Sequence, residues 1–293
     1  MSRCLICDSD GLVTFYEGSI RMGSFGKQST ENHVITECPG CGARHLPPIM
    51  EDLENYYRSE EYRNDLDQGN EIDRYFELTD DDQPFRLDLL GPNSIRGKRI
   101  ADVGCGAGPF LDLVKGLTAE TVAIEPNEAY HASLKERGHS VHGSLEEAGS
   151  SGMPPVDVAV SFSVIEHVDK PRDFLEGIRK LLKPGGRALV STPNAEDFMI
   201  GLSPDYQKFF YRKVHLWYFT AAALEKTAEL AGFRSCKVMF KHRFDLSNAM
   251  LWLRDKRPTG LSKIDLPPQV DNGWKDHLEA SGGSDYLYAI LEA

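Results

Sequence analysis

Between residues 98 and 233 the hydrophobic positions alternate between short apolar runs and segments with helical spacing. Val156–Phe162 is nearly continuous in apolar and small side chains, as strands covered on both faces are. Apolar residues recur every three or four positions over 110–117 and 171–182, which indicates helices packed on the strands. The strand-like runs are Arg99–Val103, 121–124, Ser140–His142, Val156–Phe162 and 187–192. This alternation predicts an α/β fold with a doubly wound, mostly parallel sheet over residues 95–233.

The segments on either side predict three further units. Residues 1–48 alternate short β-like runs with glycines, which predicts a small β-rich module. Residues 49–94 are acidic with helical spacing, as a solvated helical face is. Residues 234–293 hold strand candidates at 236–240 and 286–291, separated by a loop or short helices, and should complete the main domain. The acidic segment also carries aromatic residues that either pack on a neighbour or overhang a pocket, namely Tyr56, Tyr57, Tyr62, Tyr75 and Phe76.

The composition narrows the possible partners. The chain has 293 residues, 41% hydrophobic and 27% charged, the balance of an ordinary globular protein. Its net charge is −12, and because nucleic acids and anionic membranes attract basic surfaces, neither is favoured as a partner. We expect no membrane span, because nowhere do about 18 apolar residues follow one another. An acid precedes any apolar run at the start, so we expect no signal peptide and a cytoplasmic protein. The amino-acid sequence indicates no particular oligomeric state.

Four of the six cysteines lie in two C-x-x-C pairs, Cys4 with Cys7 and Cys38 with Cys41. Two such turns surround a metal ion with four thiolates, which is the pattern of structural zinc. Neither pair precedes a convincing helix of a thioredoxin-like unit, which disfavours a redox role. Four thiolates leave no open position on the ion, so the predicted Zn²⁺ stabilises the module and performs no chemistry.

A glycine-rich turn follows the first strand of the main domain, where residues 102–108 read DVGCGAG. Glycine permits the sharp turn and lets the backbone approach a ligand without an intervening Cβ. The second strand ends at Glu125, 23 residues after Asp102, where an acid accepts hydrogen bonds from ribose hydroxyls. Together the two features predict a nucleoside-containing cofactor. The spacing G-x-G-x-G differs from the G-x-G-x-x-G that binds a pyrophosphate.

With these motifs the segment from about residue 98 to residue 233 resembles the class I S-adenosylmethionine-dependent methyltransferases of the ubiquinone-type and sugar-modifying branch. The first matching motif is the turn at 102–108. The other matching segments are IEPN at 124–127, GSLE at 143–146, SVIEHV at 163–168, LLKPGG at 181–186, STPN at 191–194 and HLWYFT at 215–220. The resemblance implies a Rossmann-like fold, S-adenosylmethionine as the cofactor and methyl transfer as the reaction.

The resemblance also implies which residues bind the cofactor. Gly104 and Gly106 should pass under its methionine part, and Asp102 should lie near its amino group. Glu125 should hold the ribose hydroxyls. The positive sulfonium would then lie in an acidic, aromatic-lined cleft, which favours a cation.

The remaining cofactor contacts implied by the resemblance surround the adenine and the methionine part. Pro126 should lie against the adenine, which Ser144 and Leu145 approach from the far side. Ser161 and Phe162 should form the floor beneath the methionine part.

Glu166 and His167 follow the fourth strand at its carboxyl end, where open α/β sheets bind ligands. Methyl transfer requires a closely held acceptor atom and often the removal of a proton, for which histidine is the natural base near pH 7. We expect His167 to be the base, with Glu166 orienting it, and His215 to be the second candidate. Alternatively His167 only bridges the strand-to-helix connection, and His215 only packs beside Trp217. A further alternative, which the resemblance to ubiquinone-type relatives implies, is that Glu166 and His167 are two ligands of a divalent metal, together with another acid.

Eight aromatic residues crowd the stretch 193–219. They form either a lid that excludes water from the substrate or a hydrophobic staple for the C-terminal segment. Lys208, Arg212 and Lys213 lie in the same stretch. They are either anchors for a phosphate or carboxylate group of the acceptor, or ordinary surface cations.

The four-cysteine module resembles one that precedes the methyltransferase domain in bacterial enzymes that modify deoxysugars, surface glycans and antibiotics. One branch of these makes C-methyl sugars with a Tyr-x-Glu-His run, and Val164 at the Tyr position disfavours that reaction here. We therefore expect O-methylation more than N- or C-methylation of a small molecule, with a sugar or glycan intermediate as acceptor. The alternatives are a methyltransferase that recognises RNA or protein through its zinc module, and an S-adenosylmethionine-binding protein without turnover.

Overall fold

Three short strands near the start of the chain form a small antiparallel sheet. The computed structural model describes residues 3–23, 27–49, 52–59, 71–260 and 262–293. The strands are β1 (Val13–Gly18), β2 (His33–Glu37) and β3 (Arg44–His45). The predicted β-rich module is therefore present.

The acidic segment that follows is helical where it is described. Its helices are α1 (Leu53–Arg58), α2 (Ile72–Thr79) and α3 (Gln83–Leu90), with a 3₁₀ turn at Asp80–Asp82. Helix α1 begins at Asp52, whose side chain accepts a hydrogen bond from the Asn55 N–H, and α3 ends before Gly91 at a φ of 81°. The predicted aromatic Tyr62 lies outside the described residues.

A seven-stranded sheet organises the rest of the chain. Its first four strands along the chain are parallel and are β4 (Arg99–Val103), β5 (Glu120–Ile124), β6 (Ser140–His142) and β7 (Val156–Phe162). The others are β8 (Leu182–Pro193), parallel to β7, and the antiparallel pair β10 (Ser235–Lys241) and β11 (Tyr286–Glu292). The spatial order is β10-β11-β8-β7-β4-β5-β6. The predicted doubly wound, mostly parallel sheet is confirmed.

Helices connect these strands and cover the sheet. In chain order they are α4 (Pro109–Val114), α5 (His131–Glu136), α6 (Leu145–Ser150), α7 (Pro171–Leu181), α8 (Phe198–Leu202), α9 (Pro204–Phe210), α10 (Ala221–Leu230), α11 (Leu246–Asp255) and α12 (Pro268–Ser281). Thr220 caps α10, because its hydroxyl accepts a hydrogen bond from the Ala223 N–H. Among the described helices none is long and apolar enough to cross a membrane.

Two boundaries differ from the sequence prediction. Strand β8 begins at Leu182, which pairs with Val156, whereas the sequence predicts its start at residue 187. The pairing shifts register before Arg187, so the Pro-Gly-Gly turn is absorbed as an irregularity of the strand. The stretch before β11 contains α12, a 14-residue helix, rather than only a loop or short helices.

The cysteine module and the main sheet share one hydrophobic core. Residues Trp217–Tyr218 form a further strand, β9, which pairs with β3 and makes the small sheet four-stranded. Cys4, Cys38 and Ile6 belong to the same buried cluster as Trp217 and residues of the main sheet. The module is therefore packed against the region that follows β8, at the edge where the site lies.

Candidate active site

A cavity of about 1140 Å³ lies where β4, β5 and β7 end. The carboxyl ends of parallel strands are the edge at which open α/β sheets bind ligands. The predicted site residues that line it are Asp102, Gly104, Gly106, Glu125, Pro126, Ser144, Leu145, Phe162, Glu166, His167 and His215. The fold thus brings the predicted cofactor-binding residues and the predicted catalytic residues together around one cavity.

Ser161 is the predicted cofactor residue that the described cavity wall does not include. Its side chain is fully buried, and its hydroxyl donates a hydrogen bond to the Val103 carbonyl at 2.9 Å. Strand β7 alternates its side chains between the two faces of the sheet, so Phe162 reaches the cavity and Ser161 does not. The Ser161 side chain therefore stabilises the pairing of β7 with β4 by a hydrogen bond.

The glycine turn has the backbone geometry that its sequence requires. Gly104, Gly106 and Gly108 have φ values of 76°, 55° and 84°, in the left-handed region that favours glycine. A Cβ at Gly104 would lie 2.5 Å from a methyl carbon of Val164, so no side chain fits there. The turn leads directly into α4, which begins at Pro109.

Glu125 links the end of β5 to the glycine turn. Its Oε2 accepts a hydrogen bond from the Gly106 N–H at 2.7 Å, and its Oε1 accepts one from the Asn127 N–H at 2.9 Å. The two bonds hold the carboxylate at the cavity wall. An ionised carboxylate has about four acceptor positions, more than these two N–H groups use.

Asp102 is a nearly buried acid at the end of β4. Burial raises its pKa to about 7; the nearby charge of Glu125 also raises it, and the Arg86 guanidinium opposes the shift. Arg86 comes from α3, lies 4.4 Å above the Phe162 ring and lines the same cavity. Its buried Nε has no hydrogen-bond partner in the described structure. A cation at this place fits a ligand carboxylate, and no sequence motif marks Arg86.

Pro126, Ser144 and Leu145, the predicted adenine contacts, line the cavity. The Ser144 hydroxyl accepts a hydrogen bond from the Glu147 N–H and so caps α6. Phe162 contacts Phe110 edge to face at 5.2 Å between ring centroids. The predicted adenine contacts and Phe162 of the predicted floor therefore line one cavity.

Tyr75 of α2 covers the glycine turn. A Cβ built on Gly106 would lie 2.2 Å from the Tyr75 Oη, and the Tyr75 ring contacts Tyr130 edge to face at 5.6 Å. The interleaved aromatics of the acidic segment were expected either to pack on a neighbour or to overhang a pocket. Tyr75 and Tyr57 line the cavity, whereas Tyr56 is buried.

His167 is held from its Nδ1 side. Its Nδ1 lies 2.8 Å from the Val214 carbonyl oxygen and 2.9 Å from the Tyr57 Oη, and the Tyr57 hydroxyl itself donates to Val214 at 3.0 Å. Because a carbonyl oxygen only accepts hydrogen bonds, Nδ1 carries the proton and Nε2 has the free electron pair. Burial, together with the charge of Arg212, lowers the pKa of His167 to about 3. The ring is therefore neutral and has an unprotonated Nε2.

Glu166 lies on the other side of this ring. Its Oε1 is 4.0 Å from the His167 Nε2, and neither carboxylate oxygen has a hydrogen-bond partner among the described residues. Burial raises the pKa of Glu166 to about 7. The orienting hydrogen bonds of His167 thus come from Val214 and Tyr57, while Glu166 faces Nε2 at ion-pair distance.

His215 lies against His167, with 4.7 Å between ring centroids and an interplanar angle of 87°. Burial lowers its pKa, and the charge of Arg212 lowers it further. Trp217 contacts the His45 ring at 4.4 Å. The ligand atoms of Glu166, His167 and His215 lie within 4.8 Å of one another, so a divalent ion here would meet a second histidine in place of the further acid.

Comparison with known proteins identifies the family. A family model described as a methyltransferase domain matches residues 83–238, more than half of the chain. This chain belongs to the methyltransferase-domain family. The matched segment contains the glycine turn, Glu125 and the Glu166–His167 pair, so the resemblance predicted from these motifs is confirmed at the level of the family and its cofactor, S-adenosylmethionine.

Curated relatives of this methyltransferase are also named as methyltransferases, and a solved structure has the same fold. The ubiquinone biosynthesis O-methyltransferase of Aromatoleum aromaticum is 30% identical over 172 residues, covering 51% of this chain and 73% of the relative. The mitochondrial ubiquinone biosynthesis O-methyltransferase of Schizosaccharomyces pombe is 36% identical over 110 residues, covering 34% and 39%. The chain spans about half the length of the curated relatives it matches. A SAM-dependent methyltransferase from Archaeoglobus fulgidus has the same fold, with a TM-score of 0.51 and 22% identity over 76% of this chain and 98% of its own.

Three further arginines, from distant parts of the chain, line the cavity in this methyltransferase. They are Arg21 of the cysteine module, Arg212 after α9 and Arg243 after β10. The Arg243 Nε donates to Asp285 at 2.7 Å, and its guanidinium lies 3.9 Å above the Tyr286 ring. No sequence signal singles out Arg21 or Arg243, because each enters the site only through the pairing of distant segments.

The four cysteines of the two C-x-x-C pairs come together outside this cavity. Their Sγ atoms all lie within 4.8 Å of one another, with 3.7 Å between Cys4 and Cys41 and 3.4 Å between Cys7 and Cys38. Four thiolates arranged tetrahedrally at about 2.3 Å from Zn²⁺ are about 3.8 Å apart. The residues present therefore fit a tetrahedral zinc ion.

Proposed function

We propose that this methyltransferase transfers the methyl group of S-adenosylmethionine to an oxygen atom of a small-molecule acceptor. One observation carries the proposal: a single cavity holds the glycine turn with Glu125 at one end and an unprotonated histidine nitrogen at the other. Two of the curated relatives that match this part of the chain are named as O-methyltransferases, which supports transfer to oxygen.

The chain's own residues bind the cofactor in a defined orientation. When bound, S-adenosylmethionine supplies a methyl group on a positively charged sulfur. Glu125 accepts hydrogen bonds from the ribose hydroxyls, and Asp102 pairs with the amino group of the methionine part. Arg86, above Phe162, holds the carboxylate of that part. These contacts leave the cavity beyond Phe162 for the acceptor.

His167 removes the proton of the acceptor hydroxyl. Its Nε2 has the free electron pair, and burial keeps the ring neutral until a proton arrives from the acceptor. The Glu166 carboxylate, 4.0 Å from Nε2, then stabilises the protonated ring. Tyr57 and Tyr75 cover the two ends of the cavity and exclude water.

For the cysteine module we propose a structural zinc ion bound by Cys4, Cys7, Cys38 and Cys41. The Sγ separations support tetrahedral coordination. All four ligands come from the chain, so the ion stabilises the module and takes no part in methyl transfer.

For the acceptor we propose a sugar or glycan intermediate, from the resemblance of the cysteine module to that of sugar-modifying methyltransferases. The names of the curated relatives favour a second candidate, an intermediate of the ubiquinone type. An RNA or protein acceptor is disfavoured by the net charge of −12 and by the packing of the cysteine module against the cavity wall.

Methyl-labelled S-adenosylmethionine, mixed with the purified protein and a cell extract, tests the proposal. The products are separated into small molecules, glycans, RNA and protein. Label in the small-molecule or glycan fraction supports the proposal and provides material for identifying the acceptor. Label in RNA or protein contradicts it. Cofactor binding without label in any fraction would indicate a binding protein without turnover.

The first prediction concerns His167. Replacing the base, as in His167→Ala, should lower kcat about 100-fold or more, because the acceptor hydroxyl keeps its proton. Tyr57→Phe should lower kcat about fivefold, because the His167 ring loses its contact with the Tyr57 hydroxyl. Initial rates with the acceptor identified above provide the measurement. Both variants should bind S-adenosylhomocysteine as the wild type does.

His277→Ala is the matched control, because His277 is exposed and lies outside the cavity wall. Normal turnover in folded His167→Ala would move the role of base to His215. Tyr57→Phe at the wild-type rate would exclude Tyr57 as a residue that positions the base.

A further inference from the structure

We infer that Ser163 and Tyr286 form a polar subsite in the cavity, which binds an uncharged oxygen atom of the acceptor, such as that of a second hydroxyl, an ether or a carbonyl group. The inference rests on the proposed function, since it specifies how the acceptor is held beside the base. Two observations carry it, a strained backbone at Ser163 and a hydrogen-bonded pair of hydroxyl groups that lines the cavity.

Ser163 has a backbone conformation that is rare for its residue type. Its φ is 57°, in the left-handed region that is unfavourable for residues other than glycine. Strain of this kind concentrates at binding and catalytic sites. Asp8 and Lys256 are the other described residues of this kind, and Ser163 is the one of the three that lines the cavity. The strain therefore points to a function for this side chain.

The left-handed conformation directs the Ser163 side chain into the cavity. Consecutive residues of a strand project to opposite faces, so an extended residue after Phe162 would project away from the side that Phe162 occupies. Both Phe162 and Ser163 line the cavity, because the chain turns at Ser163. The Ser163 N–H donates to the Ser191 carbonyl of β8 at 3.0 Å, which holds this turn against the sheet.

The Ser163 hydroxyl is hydrogen-bonded to the hydroxyl of Tyr286, the first residue of β11. Burial raises the pKa of Tyr286, and the charge of Glu166 raises it further against the opposing charge of Arg243. The phenol therefore keeps its proton, and because a phenol is a better donor than an alcohol, it donates to Ser163. The bond uses one of the two hydroxyl protons. Within the described ranges no other group accepts the Ser163 proton, which is left for a ligand oxygen.

The Tyr286 ring is held in place by an ion pair. The Arg243 guanidinium lies 3.9 Å above the ring, and its Nε donates to the Asp285 carboxylate at 2.7 Å. The same carboxylate accepts a hydrogen bond from the Arg243 N–H at 2.9 Å. Because Asp285 compensates the charge of Arg243, the subsite has no excess positive charge that would favour an anion. The group that it binds is therefore an uncharged oxygen.

The subsite lies next to the proposed base along the chain and in space. The His167 N–H donates to the Val164 carbonyl at 2.9 Å, so the chain closes a tight turn directly after Ser163. Glu166 and His167 line the same cavity, and the charge of Glu166 acts on Tyr286. An acceptor with one oxygen at Ser163 and a hydroxyl at the His167 Nε2 is bound at two points. Such binding determines which hydroxyl loses its proton.

Rates of label transfer test the inference. Methyl-labelled S-adenosylmethionine is kept saturating, and increasing amounts of the cell-extract fraction that takes up label supply the acceptor. Ser163→Ala should lower the rate about tenfold at limiting extract but less than twofold at saturating extract, because a contact made equally before and during transfer affects KM and not kcat. Tyr286→Phe should lower the rate at limiting extract about threefold, because the Ser163 hydroxyl loses the group that orients it. Both variants should bind S-adenosylhomocysteine as the wild type does.

Two glycine variants separate acceptor binding from folding. Ser163→Gly and Lys256→Gly each replace a residue with a left-handed backbone, at φ values of 57° and 54°. Lys256 is exposed and lies outside the cavity wall, so Lys256→Gly is the matched control. Neither substitution should lower Tm, because glycine adopts this conformation without a steric penalty. Only Ser163→Gly should lower the rate at limiting extract, again about tenfold.

The inference is overturned if Ser163→Ala and Ser163→Gly transfer label as fast as Lys256→Gly at limiting extract. It is also overturned if their loss of rate is accompanied by a lower Tm or by weaker S-adenosylhomocysteine binding, because Ser163 then supports only the fold or the cofactor. Absence of label from the small-molecule and glycan fractions with the wild type would instead refute the proposed function.

Discussion

At the scale of single residues, two acids in one cavity have different surroundings. Glu125 accepts two backbone N–H bonds, which hold its carboxylate in place. Asp102 is nearly buried beside Glu125, and burial raises its pKa to about 7. Near neutral pH the empty site therefore holds a proton on Asp102 part of the time. A cationic amino group beside Asp102 favours its charged form and releases that proton.

The affinity for S-adenosylmethionine should therefore rise with pH between about 5.5 and 7.5. Binding is linked to the loss of at most one proton, so the limit is tenfold per pH unit below the pKa of the empty site. Calorimetric titrations in buffers of different ionisation enthalpy measure both the affinity and the proton released. Asp102→Asn should bind more weakly with a flat pH profile, whereas Asp88→Asn, on the exposed side of α3, should keep the wild-type slope. A wild-type affinity that does not change with pH would contradict the role of Asp102.

At the scale of elements, the glycine turn and α2 form the cofactor end of the cavity together. The turn leaves no room for a side chain, and Tyr75 of α2 packs directly on Gly106. Such a contact between an N-terminal helix and the first βα turn predicts that the acidic segment contributes to cofactor binding. A pair of glycine variants separates this steric effect from backbone strain.

Gly106→Ala and Gly97→Ala carry the same strain but differ in their surroundings. Their φ values are 55° and 66°, and a Cβ on Gly97 would have nothing within 4 Å. Each substitution should lower the free energy of unfolding by about 1–2 kcal/mol, because an L-residue is placed in the left-handed region. Only Gly106→Ala should also weaken S-adenosylhomocysteine binding, at least tenfold, because its Cβ displaces Tyr75. Equal affinities of the two variants by calorimetry would show that Tyr75 does not cover the bound cofactor.

At the scale of the whole molecule, the cysteine module and the methyltransferase domain are structurally joined. Strand β3 pairs with β9, and the Leu46 N–H donates to the Leu216 carbonyl at 2.8 Å. Arg21 then reaches the cavity from the module. Disturbing the metal site should therefore affect the acceptor side more than the cofactor side.

Elemental analysis of protein grown with zinc should find about one zinc ion per chain. Chelation should lower Tm, while S-adenosylhomocysteine still binds, because structural zinc supplies much of the folding energy of small cysteine modules. Cys38→Ser should reproduce these effects. Cys236→Ser is the matched control, since Cys236 lies in β10, apart from the cluster. Protein that lacks zinc yet has a folded module would contradict the proposed metal site.

The sequence by itself determined the parallel sheet, the glycine turn and the bounds of several of the strands. Val156–Phe162 and Ser140–His142 are strands with the predicted bounds. A buried strand must be apolar on both faces, and a tight turn at a ligand requires glycine. Both elements can therefore be recognised from a short stretch of sequence. Glu125 was recognisable because it directly follows β5, and His167 because it lies in the turn after β7.

Only the tertiary structure decided which distant residues complete the cavity. Arg21, Tyr57 and Arg243 come from three separate segments, and none lies in a motif. Arg21 reaches the cavity because residue 21 pairs with residue 212, and Tyr57 reaches it because α1 packs near His167. Both contacts join residues that are more than 100 apart in the chain. Periodicity and spacing report on neighbours along the chain, whereas the acceptor side of this protein is built from neighbours in space.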